Sequence, residues 1–165
     1  MNYKSTYLKL ADFGRELLSK TSLEEGMPLI SKYAKAVIGA QRCSIFIYDN
    51  DKKQLWTTLA DDIERIEVPS DKGLVGHTLK EKKPLIENKP YSNPHFLPDI
   101  DKASGYTTNN IITAPVFNAN REIIGVLELL NKEGGYDESD MKFVIFFAHY
   151  ISGFLDLINH IGRDR

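Results

Sequence analysis

The chain is 165 residues long, with 42% apolar and 27% charged residues, the make-up of one globular domain that buries enough surface to fold without staples. Its 21 basic and 23 acidic residues leave a net charge of −2, which argues against a nucleic-acid binder because such proteins carry a clear basic excess. One cysteine, Cys43, excludes an internal disulfide and a thiolate metal cage.

The opening residues, Met1-Asn2-Tyr3-Lys4-Ser5, lack the apolar centre of a signal peptide. No uninterrupted apolar run nears the ~20 residues of a membrane span; Phe143 to Ala148 is typical of the longest. These features predict a cytoplasmic protein with no membrane partner. Tyr3, Tyr7, Leu10, Gly14 and Leu17 recur at spacings of 4, 3, 4 and 3, which predicts a helix over 3–18 with those residues on one face. Thr21 or Ser22 can cap a second helix, since Ser22 precedes Glu25 by three residues in a capping box. Leu23, Met27, Ile30, Ala34, Val37 and Ile38 form its buried stripe, and Gly39 stops it.

Cys43 to Tyr48 is rich in β-forming residues and ends in Asp49-Asn50-Asp51, so with Leu55 to Leu59 it predicts a hairpin over 42–60. Ile63, Ile66 and Val68 predict a further short strand before Pro69. Gly73-Leu74-Val75-Gly76-His77 opens a short helix running to about Lys82. Residues 84–109 hold Pro84, Pro90, Pro94, Pro98 and Gly105 among polar neighbours, which reads as a long ordered loop with at most one helical turn. Tyr91, His95, Phe96, Leu97 and Tyr106 give that loop something to pack with, and loops of this length inside compact domains usually carry function. A second hairpin follows, Ile111 to Phe117 and Glu122 to Leu130, turning at Asn118-Ala119-Asn120-Arg121.

The last helix, about 138–160, carries two seams: Met141, Val144, Ala148, Ile151, Leu155, Ile158, and Phe143, Phe147, Tyr150, Phe154, Leu157, Ile161. Together they span an apolar arc of roughly 160°, where packing on one sheet needs about 100°. The surplus must cover either the first helix or a second copy of the chain.

Few residues offer chemistry. Gly73 and Gly76 flank a helix start whose amides and dipole favour an anion, though an ordinary strand-to-helix turn has the same pattern. Ser44 and Glu128 alternate with apolar neighbours on strands, so each faces either a polar cavity or solvent. Asp61-Asp62-Ile63-Glu64, Asp99 and Asp101 read as solvated turns rather than an acid–base pair. Ser44 with His77 has no Gly-x-Ser-x-Gly elbow to make it a nucleophile. His149 and His160 lie about 16 Å apart along one helix, too far to share a metal, and His77 and His95 stand as single residues in unrelated contexts. Cys43 reads as a small core residue. No catalytic residue, metal site or cofactor is expected.

Four segments in order carry a resemblance: Arg42 to Asp49, Asp71 to His77, Pro90 to Pro94 with Gly105-Tyr106, and Ile124 to Lys132. Together they resemble the core strand, glycine-bounded helix entry, ligand-covering loop and closing strand of the GAF domain, over about residues 22–160. The likeness is greatest to the GAF domains of cyclic-nucleotide phosphodiesterases and adenylyl cyclases. Their signature Asn-Lys, Phe, Asp-Glu stands here as Asn131-Lys132, Tyr136, Asp140 and Met141, so the ion pair Lys132–Asp140 is implied. The resemblance also implies a GAF-like α/β fold of the α+β type: a central antiparallel sheet, terminal helices on one face, and a loop with a short helix over the other. Residues 1–21 would be an N-terminal helix for dimerisation or linkage, 22–160 the sensory domain and 161–165 a tail. By matching position, Ser44, Asp61, Leu74, Val75, Asp101, Ser104, Thr108 and Glu128 would bind the ligand, while Ala60 and Leu97 stand where the relatives place aromatics. The implied function is regulatory sensing of a small molecule, a purine or cyclic nucleotide, in a homodimer joined by its terminal helices. The alternative is a ligand-free GAF-like dimerisation or interaction module. Free methionine sulfoxide reduction and bilin attachment, which such domains perform with cysteines, are not expected of a chain whose one Cys lies on the wrong element.

Overall fold

A computed structural model describes residues 3–58, 65–99 and 105–163. Among the described residues, helices α1 (Tyr3–Leu18), α2 (Leu23–Ile38), α3 (Gly73–Glu81) and α4 (Glu138–Arg163) accompany strands β1 (Ala40–Asp49), β2 (Gln54–Thr58), β3 (Arg65–Pro69), β4 (Leu85–Glu87), β5 (Ile111–Phe117) and β6 (Ile123–Lys132). The strands form one sheet in the order β3-β2-β1-β6-β5-β4, every neighbouring pair antiparallel.

Local chemistry fixes the ends of α2. The Ser22 hydroxyl accepts from the Glu25 amide at 3.2 Å, and Glu25 accepts in turn from the Thr21 amide at 3.0 Å. Gly39 takes a left-handed φ of 86° and closes the helix onto Lys35. At the other hairpin Asn118 Oδ1 accepts from the amides of Asn120 and Glu122, a side-chain turn that sets the register of β5 and β6.

Alternation along the strands divides the molecule into layers. Cys43, Ile45 and Ile47 of β1, Ile112, Ala114 and Val116 of β5, and Leu127 and Leu129 of β6 face a core shared with α2 and α4. Leu23, Met27, Ile30 and Ala34 supply that core from α2, and Val144, Phe147, Ala148, Ile151 and Leu155 from α4. On the opposite face Leu55 and Val126 meet Val75 and Leu79 of α3. Residues 138–158 are long and apolar enough to cross a membrane by composition; Val144, Phe147, Ala148, Ile151 and Leu155 of this stretch pack into the core, while Phe146 and Leu157 are exposed.

Three expectations change. The face of α1 that packs is Leu10, Phe13 and Leu17, while Tyr7 is 68% exposed. Phe13 stacks on Tyr33 at 4.5 Å and meets Phe147 at 5.6 Å, so α1 lies over α2 and α4, and an aromatic contact outweighs the 4-3-4-3 spacing. Val37 on α2 is exposed. Within 84–109, Leu85–Glu87 pairs with β5 as an edge strand, because the free edge of β5 offers hydrogen bonds that no local propensity announces. A 3-10 turn follows at Pro90–Ser92. The position Ile63, expected in β3, lies outside the described residues, as does Leu59, expected in β2.

Candidate functional site

The site stands on the sheet face opposite the terminal helices. Ser44 on β1, Glu128 on β6 and Thr113 on β5 sit side by side, since both Ser44 and Thr113 are register partners of Glu128. Thr113 shares a 2.6 Å hydrogen bond with Thr78, whose hydroxyl also donates to the Leu74 carbonyl at 2.9 Å. These bonds hold α3 over the strands. Between them lies a cavity of about 140 Å³. An apolar cavity of roughly 150 Å³ accepts a benzene-sized ring, so the space suits the flat ring of a small guest.

Ser44 and Glu128 line its floor, Leu74 and Val75 its roof, and buried Thr108 its wall. Five of the eight expected ligand residues are thus brought together. Asp61, Asp101 and Ser104 lie outside the described residues, as does Ala60. Leu97 also lines the cavity and rests against Gly73. The entry to α3 needs both of its glycines. Gly73 has φ +73°, and a Cβ on Gly76 would come within 2.8 Å of the Ser70 carbonyl oxygen. Lys72 is the N-cap and its side chain makes no capping bond, so the helix start next to the cavity keeps its positive character.

Sequence reasoning passed over Arg42, Thr57, Lys72 and Tyr106, all of which line the cavity. Arg42 carries a readable signal, because it precedes Ser44 by two on one strand and therefore shares its face. Its guanidinium lies 3.6 Å over the Tyr106 ring. Asn131 donates to the Tyr106 hydroxyl at 2.9 Å and to the Thr107 carbonyl at 2.8 Å, and accepts from the Asn109 amide at 2.6 Å. The wall is thus tied to the residue before Lys132. Lys132 Nζ donates to Asp140 Oδ1 at 2.6 Å, joining β6 to the first turn of α4.

Electrostatics separate the site from the thiol. Burial pushes Cys43 up to about 12, and its side chain points into the helix-side core rather than toward Glu128's face. Among the described residues no three His, Cys, Asp or Glu side chains converge as metal ligands. His77 and His95, taken from sequence as unrelated, stack at 4.1 Å with an interplanar angle of 17°. The fold of 84–99 brings them together, which sequence spacing does not report.

Residues 20–156 match the GAF domain family, and the chain belongs to it. Over 122 residues it is 28% identical to the dual 3',5'-cyclic-AMP and -GMP phosphodiesterase 11A of Takifugu rubripes, covering 64% of this chain and 14% of that protein. The chain therefore corresponds to a small part of that relative's length. The GAF domain of a phosphoenolpyruvate-protein phosphotransferase from Coxiella burnetii superposes with a TM-score of 0.78 at 15% identity, covering 99% of both chains. Free methionine-R-sulfoxide reductase of Neisseria meningitidis, solved with its substrate, gives 0.73 at 15% identity, over 92% of this chain and 89% of that one. Both superpositions share the antiparallel sheet and flanking helices. GAF domains are regulatory, small-molecule-sensing modules of signalling proteins.

Proposed function

We propose that this GAF domain senses a purine or cyclic nucleotide and transmits its binding through the terminal helices. The observation that carries the reading is the roughly ring-sized cavity, about 140 Å³, enclosed between the Ser44–Glu128 floor and the start of α3. The base would lie on the floor with Glu128 accepting from its N–H groups, Ser44 and Thr108 beside it, and Leu74 and Val75 packed above. Asp61, Asp101 and Ser104 would complete the contacts. A phosphate would face Arg42, Lys72 and the helix start, where charge and dipole agree. The likeness to a cyclic-nucleotide phosphodiesterase supports the same guest.

In this reading the protein is cytoplasmic, uses no cofactor, binds neither nucleic acid nor membrane, and is not an enzyme. A guest that prefers one arrangement of wall and helices shifts the population toward it, by way of Tyr106, Asn131, Lys132 and Asp140. Calorimetry with cAMP, cGMP and guanine tests the reading. Saturable heat with at least one is expected, with stabilisation of about 2.7 kcal/mol at a hundred times its Kd. No heat and no melting shift with all three overturns it.

A second reading, a ligand-free module that pairs through its terminal helices, draws on Leu8 of α1 and Phe146 and Leu157 of α4. These are 58%, 48% and 59% exposed. Both readings allow a homodimer, and they part on whether any purine binds.

A further inference from the structure

We propose that Arg42, held against the Tyr106 ring at the rim of the cavity, sets the class of guest: a flat ring bearing a phosphate, hence a nucleotide and not a bare base or nucleoside. The inference rests on the purine reading above and narrows it. Arg42 stands two residues before Ser44 on β1 and shares its face, so it continues the Ser44–Glu128 floor at roughly 7 Å along the strand. Arg42 and Tyr106 both line the cavity, and Arg42 is exposed where Ser44 and Glu128 are half-buried. A substituent that reaches beyond a ring seated on the floor meets the guanidinium in that direction. The space of about 140 Å³ holds the ring, which leaves a charged substituent at the rim, where it keeps contact with water and its desolvation costs least. Glu128, a carboxylate on the floor, repels an anion seated deeper and favours the same placement.

The contact between the two side chains keeps the charge of Arg42 available. The guanidinium carbon lies 3.6 Å from the ring centroid, which is van der Waals contact. An N–H aimed at the ring would hold that carbon farther off, so the planar group rests on Tyr106 by its face. Its five N–H donors lie in the plane of the group and point past the ring. Among the described residues no carboxylate pairs with Arg42. A cation–π contact at an exposed site is weak, so it orients the guanidinium without engaging those donors. The platform is itself fixed. The Tyr106 hydroxyl accepts from Asn131 Nδ2 at 2.9 Å and donates to Gln41 Oε1 at 3.3 Å, with Asn131 buried and Gln41 next to Arg42 on β1. Tyr106 is therefore a positioning residue, and Arg42 presents a planar fork suited to bidentate binding of phosphate.

Calorimetry on the full chain at one ionic strength compares cGMP with guanosine and cAMP with adenosine, pairs that share ring and sugar and differ in the phosphate. At least one cyclic nucleotide is expected to bind at least roughly tenfold tighter than its nucleoside, the lower end of what hydrogen bonds to a charged group provide. Arg42→Gln and Arg42→Met are expected to abolish that ratio by weakening the cyclic nucleotide while leaving the nucleoside's Kd as it was. Arg42 is exposed, and melting curves confirm that both variants fold. Tyr106→Leu is expected to lower the same ratio, which loss of packing alone does not move; an unchanged ratio removes its positioning role. Equal affinities within each pair in the unmodified protein, a preference that survives both Arg42 variants, or an equal loss for nucleotide and nucleoside overturns the proposal and leaves the purine reading standing. Absence of binding by all four compounds overturns both.

Discussion

Tyr136 shows what a single hydroxyl costs in this interior. Its ring is buried, its Oη has no hydrogen-bond partner among the described residues, and the related signature has Phe at this position. A buried unsatisfied polar atom costs about 1–3 kcal/mol. Tyr136→Phe is therefore expected to stabilise the domain by about 1 kcal/mol, read from denaturant midpoints at constant slope. Cys43 makes a pH prediction. Burial lifts its thiol from 9.0 to about 12. For a raised acid the stabilising contribution is complete below the unfolded value and is lost as pH climbs through the folded one. Burial also lifts Tyr136 and Tyr33, and they act in the same direction at slightly higher pH. Melting temperature should fall progressively above pH 9, less steeply for Cys43→Ala. A thiol reagent at pH 8 should leave native Cys43 unlabelled and label it after denaturation; rapid labelling of the native thiol contradicts this placement.

Elements meet at close approaches and one paired charge. Gly76→Ala gains helix propensity of about 1 kcal/mol but drives a methyl onto the Ser70 carbonyl. Backbone cannot swing aside as a side chain can, so a net loss of about 1–3 kcal/mol is expected. The Lys132–Asp140 pair is 27% and 9% exposed, and Asp140 also accepts from the Asp137 amide at 3.0 Å. Lys132→Met is expected to cost about 1.5–3 kcal/mol. The Arg15–Asp12 pair on α1 is 3.5 Å long and 78% and 68% exposed, so Arg15→Met should cost less than about 0.5 kcal/mol. Equal effects from the two substitutions, measured by urea unfolding, would contradict this reading of burial. The long helices were legible because their apolar stripes repeat over many turns. The three-residue β4 was not, since so short a strand between prolines has no period to read.

The molecule as a whole sets a sheet between a thick helical layer and a thin roof. α1 takes up part of the surplus apolar arc of α4, with Tyr150 donating to the Leu10 carbonyl at 3.1 Å. Phe146 and Leu157 stay on the surface. If the terminal helices pair two copies, sedimentation should report a dimer, and Phe146→Glu with Leu157→Glu should shift it to monomer at micromolar concentration. An unmodified chain that sediments as a monomer removes the pairing.

Periodicity by itself determined the limits of the long helices, the two hairpins, and the strand positions of Ser44 and Glu128, while the class of fold followed from the resemblance of four segments to the GAF domain. Those properties are local, because a 3.6 or 2.0 repeat is written in neighbouring residues. Only the tertiary structure decided that Ser44, Thr113 and Glu128 share one face, that Arg42 lies on Tyr106, and that His95 stacks on His77. Each of those contacts joins residues far apart in sequence, and their distance is fixed by strand register and loop path rather than by anything the intervening residues encode.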